Sequence, residues 1–489
     1  MKQKAPFLAG FSRYLFGRAK RGAQEKIRRY RQIAIERSPG GYGLLFEKIL
    51  PPEFLALIDP TKRNRHFGHI PVFWAWIGQI LEQNASCSRG LGLIQAWCAG
   101  ENLSPPKGDT SGYCQARKRL CHDFLDQVLG RIMKSLRTGI RIGDRWHGMT
   151  LKAIDGTSVK LMDTPENQDQ YPQPSGQKAG CGFPVMGMVG MVNLSHGGWE
   201  GFTTGGCNEH DARGAQRLLD LVAQDDLILA DRAFCSFELI ARIQKRGGEC
   251  LMRLHQARHR KLDWRRGKKV SKFEREVTWD KPARQPATSE LSPQQWAELP
   301  EQITLRCIKK HYRDRTGAKR TLVVVTTLLD AEEHDAGELL DLYAERWYIE
   351  LKFRDVKTIM RMESLAVKSP DMAHKTLLMM MIAYNLLRSL MQNAAAEADR
   401  PIIDISFKGT LDLVTSSHSH FGSLRSHPRK RTALREQIIE TCATKIVDLR
   451  PYRQEPRAVK TRPKPYQLLT SHRHIFHEIP HKETYRKPS

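Results

Sequence analysis

The stretch that most constrains the fold runs over residues 149–254. Three apolar, strand-like segments follow one another at 149–155, 184–194 (PVMGMVGMVNL) and 198–204. A helical pattern at 212–223, a short apolar run at 227–230, a second helix at 237–245 and a strand at 250–254 come next. Short apolar runs bounded by polar residues predict buried strands. A meander of strands followed by alternating helix and strand predicts a mixed sheet covered by helices, an α/β architecture. Two of the strands end on an aspartate: Asp155 in LKAIDGTSV and Asp231 in DLILADRAF. Ligand sites of open α/β sheets gather at the carboxyl ends of strands, so both aspartates stand where chemistry is expected.

A third carboxylate lies in LLDLYAERWYIELKFRDVKTIM, residues 339–360. Wound as one helix, this segment brings Tyr343, Arg346, Glu350 and Lys357 within roughly 60° of one another, beside an apolar stripe of Leu342, Ile349, Phe353 and Val356. Asp335 and Glu338 are spaced as an N-cap and its capping-box partner. Taken alone, the pattern is an ordinary helix with an Arg346–Glu350 pair worth a few tenths of a kcal/mol. Its occurrence together with two strand-terminal aspartates points instead to a trio, Asp155, Asp231 and Glu350. The rival carboxylates fit less well: Asp225 and Asp226 precede their strand, Asp163 falls in a turn, and Glu345 lies on another helix face. Glu209 and His210 precede a helix and read as its cap, with work beside a metal as the lesser reading.

These residues resemble the DDE transposases of bacterial insertion sequences, which carry an Asp, Asp, Glu triad on a ribonuclease H-like core. More narrowly, they are similar to the branch whose signature is Tyr, two residues, Arg, three residues, Glu, six residues, Lys. Tyr343, Arg346, Glu350 and Lys357 match it without a gap, and DGT and DRAF match as well, except that Ala233 stands where glycine is common. The resemblance covers residues 110–395. It implies a ribonuclease H-like mixed sheet with helices, interrupted by a β-rich insertion, with a helical N-terminal domain and a helical C-terminal region. It implies that Asp155, Asp231 and Glu350 are catalytic and hold two Mg²⁺ ions, replaceable by Mn²⁺, with Asp155 bridging them. Tyr343, Arg346 and Lys357 would contact DNA. It further implies binding of terminal inverted repeats, cut-and-paste transposition through a hairpin, a homodimer in the synaptic complex with transposon ends and target, and an insertion tryptophan that holds a flipped base. Trp264, Trp279 and Trp296 are equal candidates for that tryptophan.

Composition agrees with a polyanionic partner. The chain of 489 residues carries a formal net charge of +26 and a pI near 9.8, which favours contacts to double-stranded DNA. Residues 1–40 form a basic arm, with eleven Lys or Arg against two acids. Residues 41–147, with helical patterns at 71–81, 90–98 and 116–133, read as a helical domain, to which the resemblance assigns DNA binding. Residues 148–254 and 329–370 are the two parts of the core. Residues 255–328, with the run RHRKLDWRRGKKVSKFER and strand-like pieces at 303–309 and 321–327, are the β-rich insertion, since 118 residues between Asp231 and Glu350 far exceed a crossover. Residues 371–489 begin with a long helix at 372–396, whose Met379, Met380 and Met381 read as core packing, and end in a basic tail expected to be partly disordered.

Ten cysteines without zinc-ribbon spacing predict reduced, mostly buried thiols. His418, His420 and His427, and His472, His474 and His477, lack cysteine partners and read as solvated basic loops. The apolar run 377–387 is too short for a membrane span and contains Asn385, and the apolar piece at 6–11 is cut by Arg13, so a cytoplasmic, nucleoid-associated protein is expected. Two alternatives stay open: a structure-selective nuclease on the same fold, and a non-catalytic DNA-binding descendant.

Overall fold

β1 (Thr150–Leu161) forms the centre of a mixed sheet. On one side it pairs antiparallel with β2 (Val185–Asn193), which pairs with β3 (Trp199–Gly206); on the other it runs parallel to β4 (Asp226–Ala230), which runs parallel to β5 (Glu249–Arg253). The order β3-β2-β1-β4-β5 is the ribonuclease H-like arrangement that the meander-then-alternation pattern predicts. The computed structural model describes residues 24–447, apart from residues 33, 62–64, 84–85, 179 and 314–316, together with residue 475. Most of the basic arm, the tail beyond residue 447, and His472, His474 and His477 lie outside the described residues.

The strands of residues 255–328 extend this same sheet. β6 (Lys268–Lys269), β7 (Glu274–Asp280), β8 (Gln302–Arg313) and β9 (Lys319–Thr326) are joined antiparallel, and β9 pairs with β5 from Leu251↔Thr326 to Arg253↔Val324. Leu305, Val323 and Val325 accordingly share a hydrophobic cluster with Ile154, Ala230 and Ile240. β10 (Ser364–Leu365) adds a short parallel pair to the far end of β1. That pair and the long register with β2, from Lys152↔Asn193 to Lys160↔Val185, carry β1 to Leu161, past the expected end at residue 155.

The N-terminal region is helical: α1 (His69–Leu81), α2 (Cys87–Gly100), α3 (Ser111–Arg119) and α4 (His122–Thr138). The single helix expected over 116–133 is two. The chain turns at Leu120 and Cys121, both with extended ψ (116 and 151), and this buries Leu120. The first helix after the meander is also shorter than expected, α5 (Asp211–Gln216), followed by a 3₁₀ turn, whereas α6 (Phe237–Gln244) lies as predicted.

The segment expected as one helix over 339–360 is divided into α7 (Ala336–Glu345), α8 (Trp347–Arg354) and a π-helical turn at Asp355–Ile359. Arg346 keeps helical dihedrals, but its N–H bonds the Tyr343 carbonyl and its own carbonyl accepts from Ile349, a tightened 3₁₀-type turn. The predicted apolar stripe holds: Leu342, Ile349, Phe353 and Val356 are all buried.

α9 (Pro370–Glu397) is buried on nearly every side, against α4 and the two C-terminal helices α10 (Phe407–Ser423) and α11 (Pro428–Thr444). Its Asn385 carries polar work into the core: Oδ1 accepts the Trp199 N–H at 2.8 Å and Nδ2 donates to the Trp199 carbonyl at 2.9 Å, which satisfies the start of β3. No helix among the described residues is long and apolar enough to cross a membrane. Residues 428–444, expected in a partly disordered tail, are helical, and His418 is no solvated loop residue: it lies on α10 and stacks on Tyr42 at 4.2 Å.

Candidate active site

Parallel pairing of β1 with β4 sets Ile154 beside Ala230. Asp155 and Asp231 are the next residues on these adjacent strands, and in-register side chains of parallel strands leave the sheet on one face. Asp155 is therefore inside β1 rather than at its end, while Asp231 directly follows β4. The Asp155 Oδ1 accepts the Gly156 N–H at 2.9 Å. Asp231 shapes the DRAF turn: its Oδ1 accepts the Ala233 N–H at 2.8 Å and its carbonyl the Phe234 N–H. Ala233 has no positive φ, so the turn does not need glycine there.

Arg346 joins the first carboxylate to the third. Its Nη1 lies 3.4 Å from Asp155 Oδ2 and its Nη2 3.2 Å from Glu350 Oε1. Burial would lower the Arg346 pKa, but Tyr343, Asp155 and Glu350 together outweigh it and raise it. Burial raises the Asp155 pKa, with Asp231 and Glu350 adding to the rise while the Gly156 N–H and Arg346 oppose it. Tyr343 is pushed up to about 12, mainly by burial, with Asp231 contributing. Tyr343, Arg346, Glu350, Asp155 and Asp231 thus share one electrostatic neighbourhood. Lys357 does not join it: it lies in the π turn, where burial lowers its pKa and the opposing charge is Glu363. The wider winding of that turn carries Lys357 off the stripe that a uniform helix predicts.

Sequence reasoning missed Asp211. This first residue of α5 sets its carboxylate over the Cα of Gly156, and its pKa is raised by burial and by Asp231. An acid opening the first helix after the meander was the available signal. His210 occupies the N-cap of α5 without a side-chain cap bond, and Glu209 pairs with Arg217 at 2.8 Å, so neither caps as expected. Asp335 does cap α7, but Glu338 turns to His147 instead of closing the box. Asp226 stands at the opposite end of β4 from Asp231, paired with Lys152 at 2.6 Å. Glu345 lines a cavity behind the helix.

The three tryptophans differ in surroundings. The Lys309 ammonium covers Trp264 at 4.3 Å, Trp279 is buried under Arg258 at 3.9 Å, and Trp296 lines a cavity of about 370 Å³ that reaches Asp211 and Ala233. All ten cysteines are free, five of them buried.

Residues 146–386, which contain every one of these carboxylates, match the family described as "Transposase DDE domain". This match and the relatives below support a DDE-type transposase of bacterial insertion sequences. It is similar to the transposase InsG for insertion sequence element IS4 of Escherichia coli (strain K12), 25% identical over 330 residues, covering 67% of this chain and 71% of that one. It is also similar to the putative transposase InsZ of the same organism, 25% identical over 209 residues, 42% of this chain and 68% of that one. Among solved structures, a piggyBac transposase synaptic complex with hairpin DNA aligns over 86% of this chain and 84% of that one, with a TM-score of 0.41 and 10% identity, a likeness too remote to bear on the site. No three His, Cys, Asp or Glu side chains among the described residues stand close enough together to hold a metal ion, and Arg346 lies between Asp155 and Glu350.

Proposed function

We propose that the chain binds the terminal inverted repeats of an insertion sequence and catalyses metal-dependent cleavage and strand transfer of double-stranded DNA, with Asp155, Asp231 and Glu350 as the catalytic carboxylates. The observation that carries this reading is the adjacency of Asp155 and Asp231 on parallel strands, with Glu350 linked to Asp155 through one guanidinium. The donor chemistry suits the divalent cations with which DDE domains work, because all three groups offer hard carboxylate oxygens of the kind Mg²⁺ and Mn²⁺ prefer, and the three would have to draw together, with Arg346 displaced, to hold them. The two ions, when bound, would activate the attacking oxygen and stabilise the leaving one.

The chain's own residues do the rest. Tyr343 stays protonated at neutral pH, with a pKa pushed up to about 12, so its hydroxyl can donate to a phosphate oxygen. Arg346 binds phosphate by paired hydrogen bonds and Lys357 acts as a point charge. Trp296, which lines the cavity that reaches Asp211 and Ala233, is the insertion tryptophan best set to hold a flipped base on the hairpin route. A homodimer that joins both element ends completes the synaptic complex.

The test is cleavage of DNA carrying the element's own ends in Mg²⁺, intact protein against Glu350→Gln, with binding measured in parallel. Nicking at the repeat end by the intact protein alone, with equal binding, supports the reading. Equal cutting by both removes Glu350 from the trio, and binding without cutting by both favours a non-catalytic DNA-binding protein.

A further inference from the structure

A cavity of about 370 Å³ opens beside α8, and two buried basic side chains, Lys352 and Arg388, line it together with Glu345 and Asp144. Lys352 is 8% and Arg388 1% exposed. Among the described residues the Lys352 ammonium makes no hydrogen bond or ion pair within 4 Å, and the Arg388 guanidinium finds only the weak acceptor Met391 Sδ at 3.5 Å, its Nε having no partner. Asp355 shares their surroundings but lies beyond ion-pair distance of both. Gly197 has φ +68 and packs against the Arg388 guanidinium, where any side chain would collide with it, so the backbone is shaped around this cation.

Burying these two basic groups without acceptors costs several kcal/mol per charge unless Lys352 sheds its proton, and an anion in the cavity would let both stay charged. The neutral donors of the cavity agree in sense. Ser195 Oγ accepts the Leu151 N–H at 3.2 Å, which leaves its hydroxyl proton to donate inward, and the Tyr348 hydroxyl lines the same wall. The cavity also exceeds the size of a bare ion. We propose that it binds a small phosphate-bearing molecule, the phosphate gripped by Lys352 and Arg388 with the Ser195 and Tyr348 hydroxyls as further donors. A duplex backbone cannot touch cations so deeply buried. Lys352 is two residues from Glu350 on α8, so occupancy braces the helix that presents the candidate third carboxylate.

Inorganic phosphate is the probe, titrated into the full chain by calorimetry at constant ionic strength against chloride, with the melting temperature as a second readout. One saturable site is expected. It should vanish in Lys352→Met and weaken at least about tenfold in Ile403→Glu, a partly exposed rim position where a carboxylate repels the entering anion without disturbing the core. It should persist in Lys357→Met. Displacement of phosphate by a nucleoside monophosphate supports the small-molecule assignment. Absence of a saturable site, unchanged binding in Ile403→Glu, loss in Lys357→Met, or displacement only by a 5′-phosphorylated single strand overturns it.

Discussion

The Asp211 carboxylate lies so close over Gly156 that a Cβ added there would stand 2.6 Å from its Cγ. The glycine of DGT is thus a spacer between two carboxylate-bearing elements, β1 and α5. Gly156→Ala is expected to cost about 1–3 kcal/mol through overpacking and to abolish cleavage by displacing Asp155. Asp211→Ala should relieve the clash. Urea unfolding of both single variants and the double variant gives the coupling energy, and simple additivity would show that the clash is absorbed elsewhere.

Arg346 is bonded to Asp155 and Glu350 at once, so it competes with any divalent cation for both. In Arg346→Met the stabilisation by Mg²⁺ or Mn²⁺, read as a shift in melting temperature, should exceed that of the unaltered chain, while DNA cleavage falls. An equal or smaller shift would mean that the guanidinium does not occupy the cation's place.

Glu47 ties the N-terminal segment to α11, through Arg431 at 3.1 Å and Arg435 at 2.8 Å. Burial alone would raise the Glu47 pKa, but the hydrogen bonds and charges of Arg435 and Arg431 bring it below the ordinary 4.5. A depressed carboxylate contributes stability that is complete above its unfolded value and is lost as pH falls through its folded value. Glu47→Gln should therefore lower stability at neutral pH by about 3 kcal/mol, since two buried arginines lose their carboxylate, and flatten the acid limb below pH 4.5. Denaturant melts across that range check both.

Asn385→Ala removes both bonds to the Trp199 backbone. A loss of about 2 kcal/mol or more is expected, because a buried N–H and a carbonyl are left unpaired. Hydrogen exchange should quicken first at Trp199.

Much of this was legible in the residues. The runs LKAIDGTSV and DLILADRAF read as strands and form β1 and β4, because alternation of structure leaves a local trace in hydrophobic patterning. The buried stripe of Leu342, Ile349, Phe353 and Val356 was legible for the same reason. The division of the following helix was not. The tightened turn at Arg346 and the π turn at Asp355–Ile359 are set by contacts with β1 and the core, and no window of neighbouring residues records them. Asp211 was missed because its importance lies in touching Gly156, a residue 55 positions earlier.

By itself the sequence determined the strands of the core, most of its helical segments though not their breaks, the basic charge, and the carboxylates available for chemistry, since each depends on residue type and on period along the chain. The tertiary structure alone decided that Asp155 and Asp231 stand side by side and that Arg346 reaches across 191 residues to Asp155. It also decided that the inserted strands join the sheet at β5, and that Lys352 and Arg388 share a cavity. Those relationships depend on strand register and helix packing. Their energies come from pairs distant in sequence, and hydrophobic periodicity carries no term for them.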